Sequence, residues 1–251
     1  MISTEQILHF KKQGYLILPQ FESAAFCESV IALAKDELRQ HAAPIEYEAD
    51  TQYPGAPISR DAEGGKTARR LLGAYARNPV LANWATNKKL GDALQALLGT
   101  AVYLSQCHHN CIMTKQPAYS SRTGWHRDSR YWNFARPELI SAWLALGNEL
   151  EENGCLWVIP GSHELDISAQ QLDELQFLRA DLEHNKILLE RAIPVPLQQG
   201  DLLLFHSNLF HAAGRNTTDI TKFSMVFTYR DATNLPKPGT RSSLQPDIKL
   251  M

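Results

Sequence analysis

Ten residues carry the first chemical suggestion: "TGWHRDSRYW", 123 to 132. His126 and Asp128 stand two apart, with Arg127 between them. If the segment is a strand, alternate side chains face the same way. An imidazole and a carboxylate then share one face, which is half of a metal site, and Arg127 faces away. A third ligand must come from elsewhere. The run "GDLLLFHSNLFHAAGRN" supplies two candidates, His206 directly after an apolar stretch and His211 ahead of a glycine-containing loop. Two histidines and a carboxylate leave three coordination positions open, the donor set of non-haem iron(II) oxygenases. Zinc takes the same ligands. A surface turn, or a core histidine paired with a carboxylate, would show the same short pattern.

Two neighbouring groups raise further questions. In "CHHNC", 107 to 111, a strand would bring Cys107, His109 and Cys111 to one face. A zinc cluster there lacks its second half. Arg122, Arg127 and Arg130 crowd the His126 segment. They pair with nearby acids or water, or one of them grips an anionic substrate group. Arg130 keeps the parity of His126 and Asp128 if the strand continues.

The elements that must position these residues fall into two textures. Up to about residue 99 the chain reads as mainly helical: 4 to 13 with Thr4 as N-cap, 22 to 40, and 79 to 98 ending at Gly99. A short buried strand, "YLILP", follows Gly14. The stretch 43 to 66 is rich in proline and glycine and reads as a long loop. From about 100 to 232, short apolar runs rich in β-branched and aromatic residues alternate with Gly, Pro and Asn. That is the texture of a sandwich or jelly roll. Residues 165 to 190 read as a helical insertion between strands, and the last twenty residues as extended. The loop and the insertion are both candidates for lids over the barrel mouth.

The chain has 251 residues, a net charge of −2, 44% hydrophobic and 21% charged residues. This suits one domain with a sizeable core. Near-neutral charge gives no global pull towards nucleic acid or acidic membranes. No run approaches the roughly 18 apolar residues of a membrane span. The N-terminus has no basic leader or small-residue cleavage site. Four cysteines do not make a disulfide framework. These features predict a cytoplasmic chain with reduced thiols, a monomer or homodimer whose partner is a small molecule.

Three segments, "GWHRDSRYW", "ISAWLALGNELEENGCLWVIPGSH" and "GDLLLFHSNLFHAAGRN", in this order and spacing, resemble the phytanoyl-CoA dioxygenase family. The likeness runs from about residue 5 to about 232. It implies a mainly β fold with flanking helices, a double-stranded β-helix of the jelly-roll or cupin kind. It also implies dependence on Fe(II), 2-oxoglutarate and O2. The iron ligands implied are His126, Asp128 and His211. His211 is preferred to His206 because Gly214 and Asn216 follow it as in the family. Trp143 matches a position lining the 2-oxoglutarate pocket, Arg70 falls near a basic position that approaches the cosubstrate, and Cys111 lies next to it. Cys107 and His109 fall near the pocket, so His109 joins Arg122 and Arg130 as substrate candidates. Lys115 matches a family lysine, or is simply a solvated strand end. His163 reads as structural or pocket-lining.

Two departures bear on the cosubstrate. Lys222 stands where the family places an arginine, and Ala213 where it often has a serine. Arginine offers a planar two-pronged grip on a carboxylate, and lysine a point charge. Retention of Asp128 points to hydroxylation rather than halogenation, since halogenating relatives carry a small residue there. The implied reaction is hydroxylation of a C–H bond in a small, anionic metabolite, with decarboxylation of 2-oxoglutarate to succinate. A zinc hydrolase on the same triad and a non-catalytic metal-binding relative are the alternatives.

Overall fold

The computed structural model describes residues 2–51, 53–107 and 109–250. Ser3, not Thr4, caps α1 (Thr4–Gln13). Its hydroxyl accepts from the Gln6 N–H while the Gln6 side chain accepts from the Ser3 N–H. That exchange satisfies two donors at the helix start. Gly14 ends the helix in the left-handed region at φ 81°, where a side chain would strike the His163 ring. β1 (Tyr15–Leu18) follows, then α2 (Ala24–Arg39), which buries Cys27, Val30 and Ala34. The expected loop over 43–66 contains β2 (Ile45–Tyr47) and a 3-10 turn, because β2 pairs with β3 (Ala68–Leu72). The single helix expected over 79–98 is broken. α3 (Ala74–Arg77) and α4 (Pro79–Ala85) precede α5 (Lys88–Leu98), whose N-cap Asn87 accepts from the Leu90 N–H.

The strands expected after Gly99 form in number: β4 (Val102–Ser105), β5 (Cys111–Lys115), β6 (Thr123–His126), β7 (Leu139–Ala145) and β8 (Leu156–Val158). After α6 (Glu183–Leu189) come β9 (Ile193–Val195), β10 (Leu202–His206), β11 (His211–Ala213), β12 (Lys222–Asp231) and β13 (Ile248–Lys249). The larger sheet runs β1-β10-β7-β12-β5-β3-β2, with β4 and β13 beside β12. The smaller runs β6-β11-β8-β9. This is the double-stranded β-helix with flanking helices. The N-terminal part is not purely helical, since β1, β2 and β3 extend the larger sheet at both edges.

Period-two alternation divides the buried residues between two faces. Ala142, Leu144, Leu202, Leu204, Met225, Phe227 and Tyr229 pack outward against the helices, with Leu81, Trp84, Leu90 and Leu94. Trp143, Ala145, Leu203, Phe205 and Val226 point inward and meet Leu156, Val158 and Val195 of the smaller sheet. The inward face thus becomes the barrel interior.

The helix expected over 165–190 is found only at α6. Gln176 adopts a left-handed φ of 60°, and Asp173 closes a turn by accepting from the Phe177 N–H. In a helix, Phe177 and Leu178 would lie about 100° apart on one cylinder. Here they diverge: Leu178 joins a cluster with Ile159, Leu188 and Phe210, and Phe177 lies against Gly124 of β6. Tertiary docking overrides the local helical pattern.

Leu204 is fully buried between β1 and β7. Leu204→Ala is expected to lower stability by about 2–5 kcal/mol. Leu8→Ala, at a position 60% exposed, should change it by no more than about 0.5 kcal/mol in the same chemical denaturation series.

Candidate metal centre

Strand pairing brings the two histidines together. His211 opens β11 and sits directly opposite His126, the last residue of β6. Directly opposite residues in an antiparallel pair project to the same side, and the two ring centroids are 4.3 Å apart. Their Nδ1 atoms are tied to backbone carbonyls, His126 to Gly124 at 2.9 Å and His211 to Leu209 at 3.0 Å. A proton on Nδ1 makes that bond and leaves the Nε2 lone pair free for a metal.

Asp128 completes the group. The strand stops at His126 and Asp128 opens a 3-10 turn. Its Oδ1 lies 3.5 Å from His126 Nε2 and 3.4 Å from His211 Nε2. Its Oδ2 lies 3.1 Å from His109 Nδ1 and accepts from the Ser141 hydroxyl at 3.3 Å. Asp128 is fully buried, and Oδ1 has no hydrogen-bond partner among the described residues. An orphaned buried carboxylate oxygen is costly unless a cation meets it. One ligand atom from each of the three side chains lies within 4.8 Å of the others. This donor set fits a divalent metal.

The three groups also shift one another's protonation. Burial, and then neighbouring His211, push the His126 imidazole down to about 4. Burial acts the same way on His211, but the Asp128 carboxylate outweighs it and raises that group. Burial by itself would raise Asp128; the neighbouring His109 and His211 more than reverse this and hold it well below the usual carboxylate range.

The triad opens into a small cavity between the two sheets. Met113, Trp143, Leu156 and Phe205 form apolar wall, and Arg69, Arg70, Lys115 and Lys222 supply four basic side chains. Lys222 Nζ donates to Glu149 Oε2 at 2.7 Å. Arg70 Nε lies 3.4 Å from Glu46. Arg69 donates to Glu48, Ser121 and Thr123. Lys115 donates to the Ser121 carbonyl at 3.2 Å and is buried, not a solvated strand end.

Several expected residues fall elsewhere. Cys111 is buried in the interior but does not line the cavity, and burial pushes its thiol up to about 12. The zinc cluster at 107–111 does not form. β5 begins only at Cys111, and Cys107 contacts Ser105. His126, Asp128 and His211 are the only such metal-holding group among the described residues. Arg122 is exposed and away from the cavity. Arg130 is also outside it, because the strand parity assumed for it ends at the 3-10 turn. Its guanidinium lies 4.4 Å from the Phe177 ring centroid, and its Nη1 is buried without a hydrogen-bond partner among the described residues. Arg127 faces away as expected and donates to the Ser162 and Leu165 carbonyls. His109 does line the cavity. His206 packs against His163 with ring centroids 5.2 Å apart, and its Nδ1 accepts from the Asn208 N–H. His163 is structural, with Nε2 against the Lys11 carbonyl.

Glu149, Arg69, Phe177 and Tyr53 were not singled out from sequence. Glu149 sits in the acidic run "NELEEN", which reads as a solvated turn. Phe177 and Tyr53 come from the two lid candidates and meet with centroids 5.4 Å apart, and Phe177 also packs on the His126 ring at 5.7 Å. No pattern along the chain foretells that meeting.

Residues 10–224 match the model of the phytanoyl-CoA dioxygenase (PhyH) family. The chain is 28% identical over 255 residues to an ectoine dioxygenase of Sphingopyxis alaskensis, covering 94% of this chain and 79% of that one. It is 25% identical to a probable phytanoyl-CoA dioxygenase of Caenorhabditis elegans, covering 87% and 72%. Among solved structures it resembles EctD from S. alaskensis with 2-oxoglutarate and 5-hydroxyectoine, at TM-score 0.79 and 24% identity over 94% of this chain and 78% of that one. It also resembles the carbocyclase SnoK from nogalamycin biosynthesis, at TM-score 0.78 and 20% identity over 100% and 97%.

The two-histidine geometry separates His211 from His206. His211→Ala is expected to reduce stoichiometric iron(II) binding by at least about tenfold, in line with loss of a first ligand or its support. His206→Ala should leave the metal content, read by elemental analysis, unchanged.

Proposed function

The chain belongs to the phytanoyl-CoA dioxygenase family, and from that premise we propose that it is an iron(II)- and 2-oxoglutarate-dependent dioxygenase that hydroxylates a C–H bond of a small metabolite. The observation that carries this reading is the unpartnered Asp128 oxygen facing two histidine Nε2 atoms at the floor of a cationic cavity. His126, Asp128 and His211 would hold the metal. Bound iron supplies the oxygen chemistry, driven by decarboxylation of the oxo acid.

The protein's own groups do the positioning. The Gly124 and Leu209 carbonyls hold the imidazoles in one tautomer. Ser141 and His109 hold the second Asp128 oxygen, so that the first is presented between the histidines. Lys222 and Lys115 place two amine donors in the cavity where a carboxylate-bearing cosubstrate would lie. Trp143, Leu156, Phe205 and Met113 exclude water from it, which strengthens the hydrogen bonds made there. Phe177 and Tyr53 roof the metal side and favour a small substrate over a long chain.

The hydrolase alternative needs a general base near the metal, and a carboxylate is one candidate. Glu46, Glu48 and Glu149 are each engaged with arginine or lysine, and none lines the cavity.

The test is anaerobic addition of 2-oxoglutarate to the iron(II)-loaded protein. A saturable visible charge-transfer band is expected, followed by succinate on admission of O2. Iron bound with no band would remove the cosubstrate assignment. Asp128→Ala should lower substrate-coupled succinate formation by at least about a hundredfold, within the range for loss of a catalytic group. Full coupled turnover in that variant would overturn the ligand assignment.

A further inference from the structure

We propose that Glu149 is a specificity-determining residue for the cosubstrate: it neutralises Lys222 from behind the cavity wall, so the site selects 2-oxo acids only weakly by a remote carboxylate. This rests on the reading of the cavity as a 2-oxo-acid site.

The geometry is specific. Glu149 follows β7 and is pinned by two backbone hydrogen bonds with Leu197. Its carboxylate is fully buried. Oε1 accepts from the Trp143 indole at 2.9 Å and from the Ser224 hydroxyl at 2.6 Å, and Oε2 accepts from Lys222 Nζ at 2.7 Å. Trp143, Ser224 and Lys222 all line the cavity, and Glu149 does not. The three donors at this end therefore converge on one carboxylate that belongs to the protein.

Donor counting sharpens the point. An indole has one N–H and a hydroxyl one O–H, and both are committed to Glu149. Only the remaining ammonium hydrogens of Lys222 are left for a ligand. A carboxylate arriving there meets a lysine whose charge is already matched, with the matching anion just behind it. The wider balance agrees. Four basic side chains line the cavity, and Glu46, Glu48 and Glu149 pair with three of them. The fourth, Lys115, donates to the Ser121 carbonyl, and burial with the nearby Arg69 and Lys222 charges pushes its ammonium well down, which favours its neutral form.

Isosteric Glu149→Gln keeps an oxygen for Trp143 and Ser224. It turns a donor amide towards Lys222 and removes the negative charge. If Glu149 only holds Lys222 in place, this change weakens 2-oxoglutarate binding. If Glu149 offsets the charge of Lys222, it tightens it. The two roles differ in sign.

The experiment is calorimetric titration of 2-oxoglutarate and of 2-oxopentanoate, which lacks the remote carboxylate, into anaerobic iron(II)-loaded protein. No turnover is needed. An uncompensated buried cation would reject the neutral-tailed acid by orders of magnitude; the compensated site should prefer 2-oxoglutarate by less than about tenfold. Glu149→Gln should tighten 2-oxoglutarate at least about fivefold, as removal of a close like charge demands, and leave 2-oxopentanoate within about twofold. Weaker 2-oxoglutarate binding in the variant, or an unchanged preference, overturns the inference and leaves the cosubstrate reading standing. So does a wild-type preference of about tenfold or more, which needs no variant to fold. Failure of both acids to bind either protein overturns the cosubstrate reading and this inference together.

Discussion

Everything in the barrel interior answers to one buried charge. Asp128 has no contact with solvent, yet its environment favours the ionised form. One oxygen is held by Ser141 and approached by His109, and the other is offered to two imidazoles. Burying a carboxylate this way is tolerable only where cations or strong donors surround it. The β6–β11 pairing supplies the two histidines, β7 supplies Ser141, and the end of β6 sets the turn that carries Asp128. A divalent metal would satisfy the atom that the protein leaves open.

The same constraint governs the rest of the cavity wall. Arg69 and Lys222 are buried, and each meets a carboxylate from a distant part of the chain. Glu48 comes from the segment before β3, and Glu149 from the turn after β7. These pairs need not stabilise the fold much, because desolvation offsets most of their attraction. Their consequence is local. They decide how much positive field remains for a ligand carboxylate, and so tie cosubstrate selection to residues that never touch the cosubstrate.

The roof is built differently. Tyr53 and Phe177 come from segments with little regular structure, and they meet over His126 through edge-to-face contacts. Such segments diverge readily because their backbone is satisfied by local turns rather than by a shared ladder. The smaller sheet carries the two histidines, and Phe177 packs on one of them.

Much of this was legible along the chain, and the reason is local. A histidine and an aspartate two apart, and a histidine after a strand, sit in motifs whose order and spacing are linear properties. Continuous apolar runs marked β7, β10 and β12 as buried strands in the same way. Three things were not local. Gln176 and Asp173 turn 165–190 away from helix because Phe177 and Leu178 each find a better partner elsewhere in the fold. Arg130 leaves the cavity because the strand stops at His126. Glu149 becomes the counter-charge of Lys222 only when the turn after β7 folds beneath β12, 73 residues later in sequence. Motifs read along the chain carried the resemblance that implied the barrel and the three candidate ligands; the pairing of buried charges, which depends on distance through space, was decided by the tertiary structure alone.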